Sequence, residues 1–190
     1  MRMATARSGR HGLRIVALLM ATTFVLAACG SDGGGGSDAK QATTLLNQAL
    51  QAQVQGDTAS ATTKFNEVVK LDPANKFAHY NLGLIAQTAG DDAKAESDYR
   101  LAIAVDPNYA PALYNLAILR NKAGAKAEAI DLYTRATKSD PKFATAFLNL
   151  GLLLFETGKT AEGAAALSTA VKLNPELASR IPQNEKPTGT

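Results

Sequence analysis

The stretch KFAHYNLGLIAQTAGDDAKAESDYRLAIAVDPNY, residues 76–109, decides the fold. It holds two apolar periodic segments at helical spacing, one through Phe77, Tyr80 and Leu84, the other through Tyr99, Ala102 and Ile103. Gly90 lies between them, where the first helix needs a left-handed residue to end. Asp106-Pro107 closes the second, because proline disfavours helical geometry in the residue before it. The stretch reads as a helix–turn–helix.

The same unit recurs on either side. Asp72-Pro73, Asp106-Pro107, Asp140-Pro141 and Asn174-Pro175 follow one another at intervals of 34 residues. Gly56, Gly90, Gly124 and Gly158 keep the same beat, as do Phe65, Tyr99, Tyr133 and Leu167. So do the small residues Ala61, Ala95, Ala129 and Gly163, and the inner set Gln48, Leu82, Leu116 and Leu150. A sustained period of this length is the signature of a repeat architecture. One helical hairpin cannot bury its own apolar face, so neighbours must stack into a solenoid around a continuous core. The composition, 46% hydrophobic with 6% aromatic, suits close helix–helix packing and an all-α class. Pro111 fits the first turn of a helix, where its missing N–H costs little. Pro175 to Ile181 is expected to form a short capping helix, with Leu177 and Ile181 covering the last repeat.

These residues resemble the tetratricopeptide repeat, a helix–turn–helix unit of this length. Repeats fall at about 42–75, 76–109, 110–143 and 144–177, within a domain spanning 40–181. The second carries the family spacing in His79, Leu82-Gly83, Gly90, Ala95, Tyr99, Ala102 and Pro107, and the third and fourth follow it. The first departs, with Gln48-Ala49 where Leu-Gly is usual, and reads as a polar cap. The resemblance implies an all-α, TPR-type α-solenoid of about four helix–turn–helix repeats that binds protein.

The N-terminus has a different character. Arg2, Arg7, Arg10 and Arg14 precede an apolar run from Ile15 to Ala28, which at 14 residues is short for a bilayer span. A basic segment, a short apolar segment and small residues at its end describe a secretory signal, here residues 1–28. Leu26-Ala27-Ala28-Cys29 resembles a bacterial lipobox, which implies lipidation of Cys29, the only cysteine, and cleavage before it. Paired acyl chains hold a protein on a membrane far better than one. Residues 29–39 then read as a lipidated Cys and Gly-rich tether with a reach of roughly 20 Å, and 182–190 as a disordered tail. The expected location is the extracytoplasmic side of the cell membrane, facing the periplasm or on an outer membrane if the envelope has one.

Removing the leader takes 20 basic residues to 16 against 17 acidic ones, so the net charge of +3 becomes about −1. The basic pI of about 9.0 therefore belongs to the leader, and nucleic acid is not an expected partner.

In tetratricopeptide arrays the first helix of each pair lines a concave groove. By repeat position, Asn47, Asn81, Asn115 and Asn149 stand there in register. Asparagine is a poor helix-interior residue, and its amide offers a donor and an acceptor suited to one peptide backbone unit. The ladder resembles that in the groove of O-linked sugar transferases. Asn at this position is also common in the family, as in Tyr80-Asn81-Leu82-Gly83, where it tolerates solvent or supports neighbouring helices. Tyr80, Tyr114, Leu84, Ile118 and Leu152 are the further expected peptide contacts, with Leu148 and Phe155 on the same face. Lys122 and Glu156 are the main groove charges, which argues against a clamp for a terminal carboxylate and for a fairly neutral peptide or helix.

Catalysis is not expected. After leader removal His79 is the only histidine, at a packing position, and Cys29 is assigned to lipid. No phosphate loop or metal-ligand spacing is present. Asp91-Asp92, Glu96 and Asp98 are expected to meet a helix N-terminus rather than a cation. No cofactor is implied. The functional expectation is a membrane-anchored interaction module or scaffold with an unidentified protein or peptide partner. The alternatives are a structural, self-associating envelope lipoprotein, with no oligomer indicated, and an enzyme.

Overall fold

The computed structural model describes residues 34–185, which form an all-α array of four helical hairpins. In chain order the helices are α1 (Gly34–Val54), α2 (Thr58–Leu71), α3 (Lys76–Thr88), α4 (Asp92–Val105), α5 (Ala110–Lys122), α6 (Lys126–Ser139), α7 (Ala144–Glu156) and α8 (Thr160–Leu173). Each packs chiefly on its hairpin partner, and the second helix of each hairpin then packs on the first of the next. Short 3-10 turns follow at Pro175–Arg180 and Gln183–Glu185. No helix among the described residues is long and apolar enough to cross a membrane.

The periodic residues set the turns. Gly56, Gly90, Gly124 and Gly158 have φ of 78°, 80°, 80° and 82°, the left-handed conformation that closes each first helix. The next residue's N–H then reaches back to the last turn, as from Asp91 to the Ala86 carbonyl at 2.9 Å, satisfying a carbonyl that the helix end would leave bare. Asp57 and Asp91 also cap the second helix, accepting from the N–H of Ser60 and Lys94. At the other end Asp72, Asp106, Asp140 and Asn174 leave helical geometry ahead of proline, the last three as extended backbone, and each N–H still bonds the preceding turn.

Packing follows the small and large positions of the repeat. Phe65, Tyr99, Tyr133 and Leu167 are buried, as are Ala61, Ala95, Ala129 and Gly163. Gly83 exists to admit Tyr99: a Cβ there would lie 2.6 Å from the ring, whose hydroxyl donates to Gln87 at 2.6 Å. The core divides into three apolar clusters rather than one seam. Ala78 and Leu82 of α3 belong to the first and Ala86 to the second, while Phe147 packs against both the second and the third. The expected capping turn forms, and its Leu177 and Ile181 are buried against Leu148, Leu167 and Ala170.

Two boundaries differ from expectation. α1 begins at Gly34, so the last part of the stretch read as tether is helical, and its first helix is longer than those of the other repeats. Gln183–Glu185 adds a 3-10 turn to what read as tail. Gln48 is exposed and accepts a hydrogen bond from Lys64 at 2.8 Å, in keeping with the reading of the first repeat as a polar cap. The signal segment, Cys29, residues 30–33 and residues 186–190 lie outside the described residues.

Candidate functional site

Repeat register brings the first helices side by side, and their aligned positions carry the expected contact residues. Asn149 donates its amide to the hydroxyl of Tyr114 at 3.0 Å, and Asn115 donates to Tyr80 at 3.2 Å. Each bond joins one first helix to the next, because the tyrosine of one repeat precedes the asparagine of the following one by 35 residues. Asn81 has Leu46 in the tyrosine's place and turns back to the Phe77 carbonyl at 2.8 Å, leaving it 8% exposed. Asn47 is exposed on α1. The four asparagines therefore share a register but not an environment. Asn81, Asn115 and Asn149 each engage one amide N–H within the array, as the alternative reading of a residue that supports neighbouring helices expects.

The two tyrosines are similarly tied in. Tyr80 meets Tyr109 edge-on at 5.3 Å between centroids, and Tyr114 meets Phe143 at 4.7 Å. Burial pushes the Tyr80 hydroxyl's pKa up, with the Asn115 hydrogen bond opposing it. Tyr109 and Phe143 sit just before α5 and α7, at the repeat position of Asn75. They were not among the expected site residues, although two aromatics one repeat apart were a readable signal. Lys76 lies over the rings of Tyr109 and Phe77 at 5.1 and 5.3 Å while pairing with Asp106.

Four of the expected contacts converge. Tyr114, Ile118, Asn149 and Leu152 line one pocket of about 430 Å³ between α5 and α7, together with Arg180 of the capping turn. Leu84 lines a separate pocket of about 370 Å³ beside Gln53 and Ile85. Leu148 is fully buried, and Phe155 lies where a Cβ on Gly163 would be 2.5 Å from its ring, so both serve the core. The two groove charges are neutralised in place: Lys122 pairs with Asp92, and Glu156 with Lys126 at 2.6 Å.

The remaining chemistry-bearing residues are structural. His79 is buried, with Nε2 placed 2.8 Å from the Pro73 carbonyl. Asp98 pairs with Lys94 and Glu96 with Arg100 and Arg120, so the acidic run beside α4 is met by cations. No cluster of His, Cys, Asp and Glu suited to a metal is found among the described residues.

A tetratricopeptide repeat family model matches residues 46–110, 85–142 and 114–178. The chain belongs to the tetratricopeptide repeat family. This fold is a scaffold for protein–protein interaction and is generally non-catalytic. No curated protein matches the sequence. Among solved structures, pilF of Pseudomonas aeruginosa is 23% identical over 75% of this chain and 65% of that one, with a TM-score of 0.65. MamA of Desulfovibrio magneticus RS-1 is 21% identical over 72% and 77%, with a TM-score of 0.62. A mutant O-GlcNAc transferase of Thermobaculum terrenum is 25% identical over 71% of this chain but only 26% of that one, with a TM-score of 0.62. These likenesses concern the tetratricopeptide fold.

Proposed function

We propose that this tetratricopeptide protein is a membrane-anchored interaction module that takes an extended partner segment on the surface of its first helices. The observation that carries the reading is the pocket between α5 and α7. There half-buried Ile118 and Leu152 lie beside Asn149, a side chain with both donor and acceptor atoms whose amide holds Tyr114. Apolar surface for side chains beside amides for a backbone is the chemistry an extended peptide needs. A photo-crosslinker at Ile118 or Leu152 is expected to trap one defined partner in cells, and one at Leu101 on α4 is not. Equal yields from the two faces would defeat the groove reading.

Anchoring is proposed from Leu26-Ala27-Ala28-Cys29, which supports a lipid on Cys29 and an extracytoplasmic location. Metabolic labelling with palmitate is expected to mark the chain and to fail for Cys29→Ser. Label that persists in that variant would overturn the anchor.

A further inference from the structure

We infer that the pocket between α5, α7 and the capping turn reads an acidic side chain next to an aliphatic one in a partner segment, with Arg180 as the group that pairs with the acid. This rests on the groove reading above and adds the chemistry of the occupant.

Charge accounting on this surface is the basis. Lys122 and Glu156 are paired with Asp92 and Lys126. Arg180 lines the same pocket, is exposed, and has no ion pair or hydrogen bond among the described residues. Among the described residues, one unmatched positive charge therefore lines the cavity beside Ile118 and Leu152. A single guanidinium offers one positive charge, which the carboxylate of one acidic side chain matches. The apolar wall of Ile118 and Leu152 takes the neighbouring aliphatic side chain.

Arg180 is held for this role by its neighbours. Leu177 and Ile181 are both buried in the last repeat's core, and the Asn174 side chain accepts from the Glu176 N–H at 3.1 Å at the start of the turn. The backbone under Arg180 is thus pinned on both sides, which lowers the ordering cost of an ion pair made there.

The test is selection of random twelve-residue phage-displayed peptides on the full chain in detergent. Wild type is expected to enrich an acidic residue in fixed register with an aliphatic one. Amidating that acid (Asp→Asn) should weaken binding about tenfold, the scale of a charge-assisted hydrogen bond. Arg180→Gln should abolish that difference, and Arg180→Glu should select a basic residue at the same position. Because Arg180 is exposed, both variants are expected to keep the helical circular dichroism of wild type. If Leu152→Glu blocks the selected peptides but no acid is enriched, or the preference survives Arg180→Glu, the inference is overturned and the groove reading stands. If no peptide is enriched, or Leu152→Glu leaves binding intact, the groove reading itself is lost.

Discussion

Asn149 donates to the hydroxyl of Tyr114 across the space between successive repeats, at 3.0 Å. The same bond from Asn115 to Tyr80 makes these pairs ties between repeats. Tyr114→Phe and Asn149→Ala should each lower stability by about 1 kcal/mol, and the double variant by clearly less than the sum. Urea unfolding of the four proteins measures the coupling; strict additivity would mean the bond contributes nothing.

Arg100, Glu96, Arg120 and Glu128 form a closed ring of alternating charge that ties α4, α5 and α6 together. Its contacts are 2.9 Å (Arg100–Glu96), 3.0 Å (Glu96–Arg120), 2.7 Å (Arg120–Glu128) and 2.7 Å (Glu128–Arg100). Partial burial would raise the Glu96 carboxyl, but hydrogen bonds from Arg100 and Arg120 outweigh it and hold it below the usual carboxylate range. Arg100 foremost does the same for Glu128. Depressed carboxyls stabilise the fold at neutral pH, and that contribution is lost as pH falls through their folded-state values. Glu96→Gln and Glu128→Gln should therefore lower the urea midpoint at pH 7 and converge on wild type near pH 2. A gap that persists in acid would contradict this. The effect at neutral pH should be small, since these side chains are 29% and 37% exposed.

Alkali acts in the opposite sense. Burial pushes Tyr109 and Tyr133 up to about 12, and raises Tyr99 further. Their contribution is fully present below about pH 10, where tyrosine ionises in the unfolded chain, and is lost as pH rises towards 12. Tyrosinate absorbance should lag an unfolded control and rise together with loss of helical circular dichroism. Ionisation of all five tyrosines near pH 10 in a folded protein would refute the packing described.

Two glycines of the second repeat should respond differently to substitution. At Gly90 nothing crowds a Cβ but φ is +80°, so Gly90→Ala should cost about 1 kcal/mol and Gly90→Asn less. At Gly83 a Cβ meets the buried Tyr99 ring at 2.6 Å, so Gly83→Ala should cost about 1–3 kcal/mol despite better helix propensity. Thermal unfolding ranks them, and a stabilised Gly83→Ala protein would show that Tyr99 can move aside.

The last turn acts as a lid on the apolar end of the array. Leu177→Ala and Ile181→Ala are each expected to destabilise by about 2–4 kcal/mol, as buried large-to-small changes do. Unfolding curves unchanged from wild type would mean that the last hairpin closes without them.

By itself the sequence determined the number and pitch of the hairpins, their Gly and Asp-Pro ends, the buried large and small positions and the capping role of Leu177 and Ile181. Those are local rules of backbone geometry repeated every 34 residues, so periodicity exposes them. Tertiary structure alone decided what each groove residue has left to offer. One asparagine register yields a buried self-bonded Asn81, two rungs tied to tyrosines and an exposed Asn47, because the outcome depends on the residue the preceding helix places opposite. It also decided that Lys122 and Glu156 are matched while Arg180, from outside the repeats, has no ion pair among the described residues. Pairing of charges depends on distances between helices, and no spacing along the chain encodes those.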